Sequence, residues 1–400
     1  MKLITNRRNS FSHYLLLIFS FLFPLSVFAG NLLAILLISL WLYEGKFKEK
    51  LEEILQNKVI VAYLLFFLAH IFGLLWSDNW FRGVEVVRKM LEYGVLLPVL
   101  YTLIKPENRR TYLYTFLSSI TFIVLTSDLI WLELIEPFKN ASVHNPTPFM
   151  THITHTPLVA FGSFIIGNLI FDSKVKSVTN KKFVFLILLF ILFSINVFIT
   201  EGRTGQIAYI VLFFLLFLQN FKLTIKNLLK IFIGISLILI AAYNLSEAFN
   251  KRLHQAIDEI NNYQNNPHTN VGIRIKFAEN SIPFILENPF FGVGTGDFSS
   301  EYKKVNDIKS PTLPVPNNPH NMYIIILGQL GLFGLFLLFY GFYQQFKCRD
   351  KKDFFTKRLG SGLIVFFLLI NLGDSYMLGH YTSFVFVFLT ALLFTSNEKE

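Results

Sequence analysis

The sequence predicts an all-α, polytopic integral membrane protein of about twelve transmembrane helices, with one large, partly helical loop between the ninth and the tenth. The chain has 400 residues, is 53% hydrophobic and contains 46 phenylalanines, which excludes an ordinary soluble protein. Its apolar runs approach the roughly 20 residues that a helix needs to cross a bilayer. Short polar segments rich in lysine and arginine separate these runs.

The predicted spans divide one membrane domain into three stretches. Residues 1–243 hold spans one to nine, residues 244–320 form the large loop, and residues 321–400 hold spans ten to twelve. The spans are predicted at 12–29, 30–43, 59–76, 90–104, 112–134, 155–171, 183–200, 205–219, 228–243, 321–344, 359–373 and 380–396.

The first span resembles a signal peptide, because a basic start precedes an apolar run and Val27-Phe28-Ala29 offers a cleavage site. Another apolar run follows at once, so we expect an uncleaved helical hairpin.

The basic residues predict the orientation of the chain. Lysine and arginine are retained in cytoplasmic loops. With the N-terminus inside, most of the 36 basic residues fall on the cytoplasmic side. Both termini are then cytoplasmic, and the large loop lies outside. The formal net charge of +10 is therefore explained by the basic cytoplasmic loops, and no nucleic-acid partner is expected. The single cysteine, Cys348, excludes an intramolecular disulfide and a cysteine-based zinc site.

The large loop is predicted to be folded. Ser246 is placed to cap an amphipathic helix that lies on the outer membrane surface, and a second helix in GIRIKFAENSI should end near Pro283. A turn-rich segment, NPFFGVGTGDF, follows. Its glycines at 292–296 could form a nest of N–H groups for an anion, although such turns are commonly structural. The apolar face of the first helix is formed by Phe249, Leu253, Ile257 and Ile260.

Ionisable residues beside membrane spans are costly and often functional. Arg203, in TEGRTG between two spans, either satisfies carbonyl groups at a helix end or binds an anion, since a guanidinium matches phosphate oxygens. Gly202 and Gly205 would let a ligand approach the backbone closely. Arg274, on the second loop helix, is either a solvated residue or another anion contact.

His320 stands between PTLPVPNNP and a predicted helix that Asn321 opens. The prolines favour an extended, stiff approach. The imidazole either caps the helix or, in its neutral form, acts as a general base.

Further polar residues lie near the predicted outer boundary. Asp374 and His380 share a short turn before the last span, and Arg82 and Arg88 lie on a segment that enters the fourth. A structural polar network explains Asp374 and His380 as well as catalysis does, and Arg82 and Arg88 are candidates for phosphate contact. Three histidines form another outer cluster, but no carboxylate is near them in sequence and we expect no metal site. They are His144, His152 and His155.

Three stretches occur in an order that resembles a known family. They are EGRTGQIAYIV, GIRIKFAENSIPFILENPFFGVGTGDF and NNPHNMYIIILGQLGLFGLFLLF. Together with the hydropathy profile along nearly the whole chain, they resemble the O-antigen ligase family, within a superfamily that includes O-antigen polymerases and bacterial O-oligosaccharyltransferases. Each motif is short, and the ordered set carries the specificity.

The resemblance implies a GT-C-like membrane glycosyltransferase of the bacterial inner membrane, with its active site and large loop periplasmic. Such enzymes transfer a glycan from undecaprenyl diphosphate to the lipid A–core oligosaccharide with inversion, and need neither nucleotide sugar nor metal cofactor. It implies that Arg203 and Arg274 bind the diphosphate and that His320 acts on the acceptor hydroxyl. Glu201 departs from the expected small hydroxyl residue and could pair with Arg203. His380 stands where another basic residue is expected.

Two alternatives remain open. An O-antigen or capsule polymerase would use the same donor with a second lipid-linked glycan as acceptor, and the order of the three motif residues with a single large loop favours the ligase. A secondary transporter would show inverted repeats and ionisable residues near the bilayer midplane. The sequence has no detectable repeat, and its ionisable residues gather at the outer boundary, which favours chemistry at the membrane surface.

Overall fold

The computed structural model describes residues 2–139, 141–172, 180–350 and 352–394. The α-helices are α1 (Lys2–Leu22), α2 (Val27–Glu44), α3 (Phe47–Gln56), α4 (Lys58–Phe72), α5 (Trp80–Leu91), α6 (Leu97–Leu103), α7 (Arg109–Trp131), α8 (His152–Ile170), α9 (Asn180–Ile199), α10 (Arg203–Asn220), α11 (Ile225–Leu245), α12 (Glu247–Asn262), α13 (Asn270–Glu287), α14 (Phe298–Lys309), α15 (Met322–Arg349), α16 (Phe354–Ile370) and α17 (His380–Leu393).

The all-α class is confirmed, since the described residues contain helices and no strand. The predicted spans overlap helices, but the first, at 12–29, was placed wrongly, because α1 ends at Leu22 and α2 begins at Val27. Within the described residues, seven helices are long and apolar enough to cross a membrane. The count of twelve spans and the orientation stay predictions. The predicted fourth span is a composite, in which α5 is followed by a π-helical turn at Glu92–Leu96 and then by α6. Most of the predicted cytoplasmic segment 172–182 lies outside the described residues, as do the last two residues of the predicted span 380–396 and the C-terminal tail that follows it.

The chain divides into two compact units. Unit 1 comprises residues 1–33, 110–255 and 351–370, and unit 2 comprises residues 34–109, 256–350 and 371–400. The centre of unit 1 is α8, which is buried along most of its length and packs against α9, α10 and α16. Its buried polar core joins α7, α8 and α9, because Asn196 donates to Asp128 at 2.7 Å and pairs with His155 at 2.8 Å.

Unit 2 is organised around α15. Helix α4 packs along it, and α13 and α14 contact it from the large loop. Gly331 interrupts α15 with φ +61°, where the backbone leaves the helical conformation. The turn that begins at Asn288-Pro289 fits into this break. Leu332 N–H donates to Pro289 O at 2.8 Å, and Phe333 N–H donates to Phe290 O at 3.0 Å. The turn thus satisfies backbone groups that the interruption leaves without helical partners.

The large loop is folded, as predicted. Ser246 Oγ accepts a hydrogen bond from Phe249 N–H at 3.1 Å, which confirms the predicted cap of α12. No residue of α12 is buried, and its predicted apolar face remains accessible, with Leu253, Ile257 and Ile260 exposed by 40%, 48% and 54%.

Two details of the loop prediction were wrong. Helix α13 continues past Pro283 to Glu287, because buried Phe284 packs against Phe298 with ring centroids 5.5 Å apart. Helix α14 was not predicted, although Phe298 and Tyr302 are spaced one helical turn apart and are both buried.

Candidate active site

His320 lies immediately before α15 but does not cap it. Asn321 is the N-cap, and its Oδ1 accepts hydrogen bonds from Tyr323 N–H at 3.0 Å and Ile324 N–H at 3.1 Å. This confirms that Asn321 opens the helix and contradicts the capping interpretation of His320. The imidazole is therefore available for another role.

The backbone of His320 is held in an unusual conformation. Its φ of +55° lies in the left-handed region, which disfavours a non-glycine residue by about 1 kcal/mol. The side chain of Asn318 stabilises this geometry, because its Oδ1 accepts the His320 N–H at 2.9 Å. Pro319 is buried between them. The sequence indicated a stiff approach, but it did not identify Asn318 as the residue that fixes the turn.

The side chain of His320 contacts Asp374. His320 Nδ1 lies 3.0 Å from Asp374 Oδ2. The other carboxylate oxygen of Asp374 accepts hydrogen bonds from Asn318 Nδ2 at 3.0 Å and from Ser375 N–H at 2.6 Å. Ser375 Oγ donates in turn to Asn318 Oδ1 at 2.7 Å. We call Asn318, His320, Asp374 and Ser375 the His320 cluster.

The electrostatics of the cluster favour an ionised Asp374. Burial alone would raise the pKa of Asp374, but the hydrogen bond and charge of His320, the Ser375 N–H and the charge of Arg274 outweigh burial and bring that pKa below 3.8. A carboxylate can only accept, so a neutral His320 carries its one proton on Nδ1, facing Asp374, and its lone pair on Nε2. The His320 side chain is 37% exposed, and it can therefore meet a substrate.

Arg274 contacts the turn that carries Asp374. Its Nη1 donates to Gly373 O at 3.1 Å, and the side chain is half-buried. A guanidinium has five N–H donors, so this bond leaves capacity for an anion. One turn along α13, the Phe277 ring lies nearly parallel to the His320 ring, with 6.4 Å between centroids. Helix α13 thus brings a cation and an aromatic face to the His320 cluster.

Arg203 belongs to unit 1, where it is the first residue of α10. A Cβ on Gly202 would lie 2.2 Å from Thr156 Oγ1, and one on Gly205 would lie 2.4 Å from Pro157 N. These glycines permit close packing against α8, so the prediction that they make room for a ligand was wrong.

Glu201 forms an ion pair with Arg252 of α12. Arg203 was the predicted partner of Glu201, whereas Arg252 is 51 residues away from Glu201 in the sequence and could not be predicted from spacing. The negative charge beside Arg203 is therefore balanced, at least in part, by a residue from the large loop.

Comparison with known families assigns the middle of the chain. Residues 188–339 match the family model described as O-antigen ligase. This stretch of the chain is similar to the O-antigen ligase domain. Arg203, Arg274 and His320 all lie within the matched residues, whereas Asp374 lies beyond them. No curated protein matches the chain. This similarity supports a ligase- or polymerase-type function on lipid-linked polysaccharide for a membrane protein.

The secondary candidates lie in unit 2, outside the matched residues. Arg82 forms an ion pair with Glu85 on α5, and Arg88 is exposed in the last turn of that helix. His380 begins α17, with its Nδ1 3.9 Å from Glu92 Oε1. None of these residues takes part in the hydrogen bonds of the His320 cluster described above.

The glycine-rich turn of the ligase domain is structural. The N–H groups of Val293, Gly294 and Thr295 donate to Gly328 O, Gln329 O and Gly73 O at 2.9, 3.0 and 3.0 Å. Gly296 N–H donates to the Gln329 side chain at 3.3 Å. These N–H groups bind protein oxygens, so the proposed anion nest was wrong.

The predicted histidine cluster is part of the polar packing. His155 Nε2 pairs with Asn196, and His152 Nδ1 lies 3.2 Å from Asn145 Nδ2. His144 is exposed. Across the described ranges, no group of three or more histidine, cysteine, aspartate or glutamate side chains is arranged to hold a metal ion.

Proposed function

We propose that the protein is an O-antigen ligase-type glycosyltransferase that moves a glycan from undecaprenyl diphosphate to the lipid A–core oligosaccharide at the periplasmic face of the inner membrane. The observation that carries this proposal is the 3.0 Å contact between His320 Nδ1 and Asp374, beside Arg274. A general base and a cation are the groups that glycosyl transfer from a lipid diphosphate needs.

The proposed step assigns one role to each member of the dyad. Asp374 holds the Nδ1 proton of His320, and His320 Nε2 accepts the proton of the acceptor hydroxyl. The hydroxyl oxygen forms a bond to the anomeric carbon as the bond from that carbon to the diphosphate oxygen breaks. The electron pair leaves with the diphosphate, and attack from the opposite face inverts the anomeric configuration.

The arginines stabilise the leaving group. Negative charge grows on the diphosphate as the glycosidic bond breaks, so a fixed cation stabilises the transition state more than the ground state. Arg274 supplies this charge next to the dyad. Arg203 is proposed as a second diphosphate contact from its place in the ligase domain and the family resemblance. Arg82 and Arg88 are proposed as further phosphate contacts.

A genetic experiment tests the function. The gene is deleted and replaced by the wild type, by His320→Ala or by His268→Ala, a matched change at an exposed histidine of the same loop. Lipopolysaccharide and lipid-linked glycan are then separated by gel. We expect His320→Ala to leave bare lipid A–core and to accumulate long glycan on the lipid carrier, whereas His268→Ala restores full-length lipopolysaccharide.

Two outcomes would contradict the proposal. Full-length lipopolysaccharide in the His320→Ala strain would remove His320 from the reaction. A core capped by a single repeat unit would show that the missing step is polymerisation, and the protein would then be a polymerase.

A further inference from the structure

Unit 1 contains a cavity of about 520 Å³ that none of the roles above uses. It lies where α7 and α9 end, where α11 passes into α12, and where the segment at residues 143–144 comes close. The volume is within the range of small-molecule sites, roughly 300–1,000 Å³. Its lining includes Trp131, His144, Glu201, Tyr243, Asn244 and Lys251.

The lining combines flat aromatic faces with many hydrogen-bonding groups. Trp131 and Tyr243 line the cavity, and the two residues are exposed by 39% and 40%. A sugar ring has an apolar C–H face that packs on such a ring, and hydroxyls that both donate and accept. Amide, carboxylate and ammonium groups on the same wall supply the complementary partners.

The charges of the lining favour a hydroxyl-rich ligand over a phosphate. Two carboxylates, Glu201 and Glu247, face the same cavity as the single ammonium of Lys251. Arg252 neutralises the charge of Glu201, but the carboxylate of Glu247 would repel the negative charge of a bound phosphate. Carboxylates accept readily from sugar hydroxyls.

Several of the lining side chains are held in place before any ligand arrives. Tyr243 Oη lies 3.1 Å from His254 Nε2, and Asn250 Nδ2 donates to Tyr243 O at 3.2 Å. Ser246 Oγ donates to Phe198 O at 2.6 Å. Such preorganisation lowers the entropic cost of binding.

We infer that this cavity binds a saccharide, namely the non-reacting sugars of the glycan donor or of the core acceptor. The assignment of the sugar to one of these substrates rests on the proposed function. Remote sugars bound here would orient the substrate without taking part in bond making.

Binding, measured apart from transfer, tests the inference. Purified protein in nanodiscs is titrated with two lipid-free probes, the repeat-unit oligosaccharide and the core oligosaccharide, each released by mild acid from the lipopolysaccharide of the source cells. Isothermal titration calorimetry measures the binding of each probe. We expect saturable binding of one probe, and the probe that binds identifies the donor or the acceptor as the source.

Variants locate the bound sugar. Trp131→Ala should weaken binding about tenfold and Trp131→Phe less, since an aromatic face remains. Leu132→Ala changes the adjacent exposed residue, which is not part of the lining, and should bind as the wild type does.

The inference fails if neither probe binds below roughly 10 mM, or if Trp131→Ala binds as tightly as Leu132→Ala. These outcomes are independent of the proposed function, which stands or falls on transfer by the His320→Ala protein.

Discussion

At the residue scale, His320 depends on a partner 54 positions away in the sequence. Asp374 and Ser375 come from the turn after α16, and Asn318 bonds to both the backbone of His320 and the carboxylate of Asp374. The sequence singled out His320 and Asp374 separately, because each is a polar residue at the edge of an apolar run. It could not pair them, because spacing along the chain carries no information on which turns meet.

The ionised state of Asp374 predicts a pH dependence of stability. Its pKa is lower in the folded protein than its ordinary value of 3.8, so its contribution is fully present above that pH and is lost as the pH falls through the lowered pKa. We expect the apparent unfolding temperature of Asp374→Asn in detergent to lie below that of the wild type at pH 7 and to converge with it in strong acid.

The control for this prediction is Asp307→Asn, which removes an exposed ion pair with Lys303 and should change stability little at any pH. A deficit of Asp374→Asn that stayed constant from neutral to acidic pH would show that the carboxylate charge contributes nothing.

Arg274 is predicted to act on the donor diphosphate. Arg274→Gln should lower kcat/KM for transfer by roughly 10–100-fold, since a hydrogen bond to a charged group contributes about 1.5–3 kcal/mol. Lys276→Gln is the matched control, because Lys276 lies on the same helix and pairs with Glu279 at 2.7 Å. Transfer is measured in proteoliposomes with purified lipid-linked glycan. Equal losses in the two variants would assign the effect to the general charge of α13.

At the scale of elements, hydrophobic periodicity predicted the helices, and long-range packing determined the details that it missed. The cap of α12 could be predicted because Ser246 and Phe249 lie close together in the sequence. The continuation of α13 beyond Pro283 could not be predicted, because it depends on the contact between Phe284 and Phe298. The role of the glycine-rich turn was equally hidden, since its hydrogen-bond partners come from α15 and from the end of α4.

The interruption of α15 predicts unequal effects of two similar substitutions. Gly331 and Gly45 have positive φ values of +61° and +66°. A Cβ at position 45 meets nothing within 4 Å, whereas one at position 331 would lie 2.5 Å from Phe290 C. We expect Gly45→Ala to lower the free energy of unfolding by about 1 kcal/mol and Gly331→Ala by about 1–3 kcal/mol more. Denaturant unfolding in detergent measures both, and equal losses would contradict the packing of residues 289–291 in the break.

At the scale of the whole molecule, the hydropathy profile predicted the all-α membrane class because bilayer thickness imposes span length on the sequence. The division into two compact units was not predicted, since both units combine segments that are distant along the chain. The motif order anticipated the O-antigen ligase domain, and the match over residues 188–339 confirms it. The cavity of unit 1 corresponds to no sequence motif, because its lining residues come together only after folding.

The role of His320 is tested most directly by the rate of glycan transfer by purified protein in proteoliposomes that contain undecaprenyl-diphosphate-linked glycan and lipid A–core. With saturating donor, we predict that His320→Ala transfers about 10²–10⁴-fold more slowly than the wild type while still binding the donor, because only the general base is lost. Transfer by His320→Ala at the wild-type rate would show that His320, oriented by Asp374, does not deprotonate the acceptor.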